Sequence, residues 1–190
     1  MRVLVLFAHP VETSFAAALH AKLVETLSAR GHEVDDCDLY AERFDPVMRI
    51  DYHDVAVNRR NVASDVERLL AAEALVFSYP IWNMGFRAIL KGFVDKVFLP
   101  GVCFTLDPDG SYEGALHNIK HLGAVCTYGG GRLLAFMMGD PPRRFLARSL
   151  RRVCAPGARC DYLACYDMNH SRADRRAAFL KTVESRFSTW

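Results

Sequence analysis

Residues Ala74 to Phe104, ALVFSYPIWNMGFRAILKGFVDKVFLPGVCF, decide how the rest of the chain is read. Ala74 to Tyr79 is an uninterrupted apolar run of the kind a fully buried strand needs, and Pro80 ends it. An uncharged loop follows, Ile81-Trp82-Asn83-Met84-Gly85. Phe86, Ile89, Leu90, Phe93, Val94, Val97 and Phe98 then recur at helical spacing, which predicts a helix over 85–98 with Arg87, Lys91, Asp95 and Lys96 on its wet side. The loop is thereby held from both ends. Backbone amides, one indole and one carboxamide at the carboxyl end of a central strand suit the edge of a planar heteroaromatic ring.

Working outward, four more strand-like runs flank this one: Arg2 to Ala8, His32 to Asp38, Leu122 to Tyr128 and Arg159 to Tyr166. Helical patterns alternate with them. Ser14 is placed to cap a helix reaching Ser28, with Gly31 just beyond its end. Ala63 to Ala72 forms another. A further helix starts at Pro141-Pro142 and stops before Pro156-Gly157, and the last opens at Ser171, where Asp174 completes a capping-box spacing, and runs to Phe187. Strands alternating with helices predict one α/β domain over residues 1–190, doubly wound, with a five-stranded parallel sheet in order 2-1-3-4-5 and helices on both faces. The segments 39–61 and 99–121 read as long polar connections, the second with a turn at Asp107-Pro108-Asp109-Gly110.

In such a sheet, ligands bind beyond the carboxyl ends of the strands where the winding reverses. Three chemically unusual loops leave those ends. His9-Pro10-Val11-Glu12-Thr13-Ser14-Phe15 enters the first helix, whose free amides, with the Thr13 and Ser14 hydroxyls and His9, favour a phosphate. It is neither a Walker loop nor a GxGxxG turn, so no nucleoside triphosphate or Rossmann-bound dinucleotide is implied. The second loop is Pro80 to Gly85. The third, Thr127-Tyr128-Gly129-Gly130-Gly131-Arg132, opens a segment over 128–140 and has three successive glycines, which allow positive φ or close backbone approach to a ligand.

The run Tyr79-Pro80-Ile81-Trp82-Asn83-Met84-Gly85-Phe86-Arg87-Ala88-Ile89-Leu90-Lys91-Gly92-Phe93 resembles the flavin-facing strand, loop and helix of the NAD(P)H:quinone oxidoreductases with a flavodoxin-like fold, and the first and third loops are similar to that family as well. The resemblance implies a bound flavin, FAD first and FMN second, with NAD(P)H as co-substrate and a quinone-like acceptor. It places the flavin phosphate and ribityl chain on His9, Thr13, Ser14 and Phe15. The ring falls on Pro80, Ile81, Trp82, Asn83 and Met84 and on Thr127, Tyr128, Gly129, Gly130 and Gly131. It also implies a hydride passed to the flavin and two electrons passed on, in ping-pong order, and a homodimer joined through 39–61 and 99–121 with Phe98, Phe104 and Trp82. Phe104, Phe136 and Met137 are the expected apolar wall of the substrate pocket. Mammalian members place a Tyr and a His further along the third loop, and this chain has neither between Gly129 and Arg152. Tyr128 is then the catalytic candidate, with Arg132 or a backbone amide as alternatives. Relatives that serve potassium efflux systems as ancillary flavoproteins offer a second role, regulation of a membrane transporter.

Composition narrows the alternatives. A formal net charge of +2 from 24 basic and 22 acidic residues gives no nucleic-acid stripe. The pI near 8.2 disfavours a one-electron carrier with an acidic docking face. Two arginine clusters, at 143–152 and 172–176, read as solvated helix faces. Six cysteines without a CxxC pair fit neither a zinc site nor a redox motif, so no metal is expected, and reduced thiols point to the cytoplasm. The apolar opening MRVLVLFA is too short for a signal peptide, and no stretch is long enough to span a membrane.

Overall fold

The computed structural model describes residues 1–107 and 109–190. Five parallel strands form one sheet in the order β2-β1-β3-β6-β7: β1 (Arg2–Phe7), β2 (Glu33–Asp38), β3 (Ala74–Ile81), β6 (His121–Tyr128) and β7 (Arg159–Cys165). Counting only these strands, the order is the expected 2-1-3-4-5, and the chain has the flavodoxin-like fold. β3 and β6 are the innermost pair by burial, with all eight residues of β3 buried. Both faces of β3 are therefore covered, which is why its sequence lacks polar alternation.

Strand parity divides the core in two. Val3, Val5, Ala74, Val76 and Val125 point to one face and pack on α1 (Phe15–Ala29) and α8 (Ala173–Phe187) through Leu19, Leu23, Leu27, Val183 and Phe187. Leu4, Leu6, Leu75, Phe77, Tyr79, Leu122, Ala124, Cys126 and Tyr128 point to the other. There they meet α3 (Ala63–Ala71), α4 (Ala88–Val97) and a helical run made of α6 (Pro141–Arg144), a π-helical stretch (Phe145–Leu150) and α7 (Arg151–Val153). The edge strand β2 is acidic, and Arg68 of α3 grips Asp35 at 2.6 Å and Glu42 at 2.9 Å. Cys37, Glu42 and Asp65 bring possible metal-ligand atoms within 4.8 Å of one another. Arg68 supplies the positive charge there, and burial pushes the Cys37 thiol well up from its ordinary pKa.

Several elements differ from expectation. The 39–61 segment ends in a helix, α2 (Val55–Asn61), capped by the Asp54 side chain on the Val57 amide. Within 99–121, β4 (Phe104–Leu106) pairs antiparallel with β5 (Tyr112–Gly114). The expected turn between them includes Pro108, which lies outside the described residues, and Gly110 N–H donates to the Asp107 carbonyl at 3.0 Å. The third loop is shorter than read, because α5 (Arg132–Met137) starts directly after Gly131. No capping box forms at α8. Its cap position is Arg172, one residue later than expected, and the Ser171 hydroxyl is buried without a partner. α4 begins at Ala88 rather than Gly85, because Gly85 is used in a turn described below. Among the described residues no helix is long and apolar enough to cross a membrane.

Candidate functional site

Parallel pairing puts the carboxyl ends of β1, β3 and β6 at one level: Phe7 is opposite Ser78, and Pro80 is opposite Thr127. The three loops leaving those ends enclose a cleft of about 290 Å³. It is lined by His9, Ser14, Phe15 and Ala16, by Pro80, Ile81 and Trp82, and by Thr127 and Gly129. Thr13, Asn83, Met84, Gly130 and Gly131 flank it without lining it.

The β1 end is built around the start of α1. Ser14 has extended backbone and accepts the Ala17 amide on Oγ at 3.1 Å. The Phe15 and Ala16 amides belong to the first turn, where no intrahelical acceptor exists, so they face the cleft mouth with the positive end of the helix. His9 Nδ1 is tied to Val11, 3.0 Å from its amide and 3.1 Å from its carbonyl. Accepting the Val11 amide on Nδ1 leaves an Nε2–H free to donate. Burial lowers the His9 pKa, the hydrogen bond to Val11 partly opposes this, and the nearby Arg87 charge adds to the lowering.

The β3 end is a tight turn. Asn83 and Met84 have φ of 51° and 55°, and Gly85 N–H donates to the Trp82 carbonyl at 3.0 Å. Two positive φ values inside a four-residue turn define type I′. Asn tolerates that conformation, whereas at Met84 it costs about 1–2 kcal/mol, offset by the packing of its side chain on the core. Trp82 is 54% exposed, and Arg87 covers one face of its ring. Arg87 was expected on the wet side of α4. Instead it lies just ahead of the helix, donates to the Tyr40 hydroxyl at 2.8 Å, and keeps Nη1 buried without a partner.

None of the three glycines has positive φ; close approach constrains Gly129 and Gly130, while Gly131 faces open space. A Cβ on Gly129 would lie 3.4 Å from the Asn169 carboxamide, and one on Gly130 would lie 3.0 Å from Leu134. The connection after β7 closes over this loop. Asp167 N–H donates to the Gly130 carbonyl at 2.7 Å, and Asn169 N–H to the Gly129 carbonyl at 3.4 Å. Met168 and Asn169 therefore line the cleft, which sequence reading missed. A loop leaving the fifth strand at the same rim was the only signal available.

Tyr128, the catalytic candidate, turns its side chain away from the cleft. Thr127 lines the cleft, so the next residue of the strand points to the opposite face. Tyr128 is 2% exposed, its hydroxyl donates to Asp140 and lies 2.6 Å from that of Tyr162, and its ring stacks on Tyr166 at 4.7 Å. Burial, together with the Asp140 bond, raises its pKa far above that of a free phenol. Neither its ring nor its hydroxyl lines the cleft.

The expected substrate wall does not assemble. Phe104 lines a separate cavity with Tyr52, Phe98 and Phe145. Phe136 and Met137 project from α5 and are 77% and 67% exposed. Both residues lie on the helix α5, where an extended loop was expected, and neither lines the cleft.

A family model described as flavodoxin-like fold matches residues 1–154. Among curated proteins, the chain is 29% identical over 153 residues to NAD(P)H dehydrogenase [quinone] 1 of Rattus norvegicus, covering 70% of this chain and 55% of that protein. It is 32% identical over 136 residues to an uncharacterized NAD(P)H oxidoreductase of Haemophilus influenzae, covering 68% and 65%. The chain thus spans between about half and two thirds of the length of these relatives. Among solved structures, an NAD(P)H:quinone oxidoreductase from Methanothermobacter marburgensis superposes with a TM-score of 0.82 at 24% identity, covering 99% of this chain and 98% of that one, a likeness of fold.

Proposed function

The chain belongs to the flavodoxin-like fold family, and from that premise we propose that it is a flavin-dependent NAD(P)H oxidoreductase that passes two electrons to quinones or similar planar acceptors. The observation that carries the proposal is the meeting of three loops at one rim, where the amino end of α1 faces an exposed indole across a cleft of about 290 Å³. That volume is at the low end for a small-molecule site, so it fits the buried edge of a ring whose outer face stays open. The relatives named for NAD(P)H chemistry support the same reading.

In this reading the residues divide by chemistry. Ser14, the Phe15 and Ala16 amides and the His9 Nε2–H hold a phosphate. Trp82, stiffened by Arg87, and the backbone at 80–82 seat one edge of the ring. Thr127, Gly129 and Asn169 approach from the other side. The two-electron chemistry between reduced nicotinamide and quinone is what a bound flavin supplies. The protein's own task is to fix the ring, keep charge away from its apolar edge at Pro80 and Ile81, and leave one open side that admits donor and acceptor in turn. Alternating use of one opening gives ping-pong kinetics. FAD is the proposed form and FMN the second, since both carry a phosphate where α1 begins.

The proposal extends to a homodimer joined through the β4–β5 hairpin and the 39–61 segment, where Val47, Leu106 and Tyr112 are exposed. Phe98, expected in that surface, is buried instead. The deciding experiment reconstitutes the purified chain with FAD or FMN and assays NADH- and NADPH-dependent reduction of menadione. Flavin bound without any such turnover sinks the enzymatic reading; no flavin bound at all sinks the site.

A further inference from the structure

We propose that Arg87 raises the reduction potential of the bound flavin: its guanidinium, stacked on Trp82 at the ring seat, stabilises the negative charge that the ring acquires on reduction. The inference rests on the flavin reading above and deepens it, by assigning to one side chain a task that no residue lining the cleft is equipped to perform.

The charge follows from the electron count. A hydride carries two electrons and one proton, so its transfer from reduced nicotinamide to a neutral ring releases the oxidised nicotinamide and leaves one net negative charge behind. The quinone then takes that hydride with one proton from water and leaves as hydroquinone. A cation near the ring favours the charged, reduced form.

The cleft lining holds no such cation. His9 is its one titratable residue and is assigned to the phosphate, and no acid or other base joins it. The third loop has neither Tyr nor His between Gly129 and Arg152. Arg87 supplies what the lining lacks. Its guanidinium lies between two aromatic rings, with its carbon 6.0 Å from the Tyr40 centroid on the side away from Trp82's own loop. Nη2 is spent on the Tyr40 hydroxyl, while Nη1 is buried without a partner, and among the described residues no carboxylate pairs with the group. A half-buried guanidinium without a counter-charge is a cost to the fold, and its charge is left to act on its surroundings. That field reaches the cleft, because the same charge contributes to the lowering of the His9 pKa. Pro80 and Ile81, the rim residues beside Trp82, are buried and apolar, so screening there is weak.

A brace for Trp82 and a source of charge are separable by one measurement. Packing acts on the oxidised and the reduced ring alike, whereas charge acts on their difference, so the ratio of the two affinities isolates the charge. Anaerobic ultrafiltration gives that ratio for FMN and FAD, each oxidised or reduced with dithionite, in excess protein so that weak binding still yields a value. Arg87→Met should lower the preference for reduced flavin about ten-fold, the scale of one charge at a partly desolvated site. For a two-electron couple that is a fall of about 30 mV in potential. Arg87→Lys keeps the charge without the planar fork, so its ratio should stay within about three-fold of the parent while its affinity for oxidised flavin remains weakened. Circular dichroism checks that both variants fold. An unchanged ratio in Arg87→Met overturns the proposal. So does an equal fall in Arg87→Lys, which would make shape rather than charge the cause, and so does a fall confined to Arg132→Met, which would move the task to the third loop. A parent chain that binds neither flavin defeats the proposed function, and this inference with it; one that binds flavin and reduces menadione, yet keeps its ratio in Arg87→Met, loses the inference alone.

Discussion

The guanidinium carbon of Arg87 sits 3.4 Å from the centroid of the Trp82 ring, and the same side chain reaches the Tyr40 hydroxyl beyond it. Trp82 is thus held by a cation that is itself held by the loop after β2. A stacked, partly desolvated pair of this kind contributes about 1–2 kcal/mol. Arg87→Ala should therefore weaken flavin binding about 5- to 30-fold through a mobile Trp82. Lysine should restore little, because it lacks the planar fork. Flavin titration by Trp82 fluorescence quenching gives the answer, and unchanged affinity in Arg87→Ala would remove Trp82 from the ring seat.

Tyr128→Phe separates structure from catalysis. The hydroxyl serves Asp140 and Tyr162, and its loss leaves buried polar atoms unpaired at a cost of about 1–3 kcal/mol. Urea unfolding should show that loss while menadione turnover changes by less than about three-fold, about 0.6 kcal/mol of barrier. A turnover drop of a hundred-fold in a stable variant would return the hydroxyl to the reaction.

Acid should act on stability and on binding in opposite directions. Burial is the main reason that the His9 and His121 pKa values lie below the ordinary histidine value. The unfolded chain then takes up more protons than the folded one below about pH 6.5, so the stability that these residues confer is present above that pH and is lost as pH falls through it. His121→Gln should flatten the decline in ligand-free unfolding midpoints. A bound phosphate favours protonated His9, so flavin retention should strengthen over the same acid window, and His9→Gln should abolish that trend. Equilibrium dialysis across the window decides; retention that falls with acid contradicts the phosphate assignment.

Gly92 of α4 is a packing requirement rather than a flexible point. A Cβ there would lie 2.4 Å from the Pro46 Cβ and 2.5 Å from its carbonyl oxygen, where the 39–61 segment crosses the helix. Gly92→Ala should cost roughly 3 kcal/mol, since backbone has to shift. Thermal unfolding with a parental midpoint would show that the segment yields freely.

Much of the fold was legible because buried parallel strands write themselves as unbroken apolar runs, as at Ala74 to Tyr79, and because Gly and Pro mark their ends. The rim loops were legible for the same reason. Elements whose formation does not depend on burying a stripe were hidden. α2 has one buried residue, Asn58, and β4 with β5 is a mostly exposed ribbon. α5 misled in the other direction, since its apolar residues face water and a pattern reading assigns such residues to a pocket. The orientation of Tyr128 could have been found from parity, because Val125 and Thr127 lie on the opposite face of β6. The stacking of Arg87 and the arrival of Asn169 could not, since both are contacts between segments distant in sequence.

The bonds from Asp167 and Asn169 to the glycine loop bind the sheet's outermost strand to the seat at its centre. Any fluctuation that peels β7 and α8 from the edge must also release the wall behind Gly129, so occupancy of the cleft and integrity of that border rise and fall together. A ligand there should slow deuterium uptake at residues 167–170, which protects the molecule at a margin where strands ordinarily fray first.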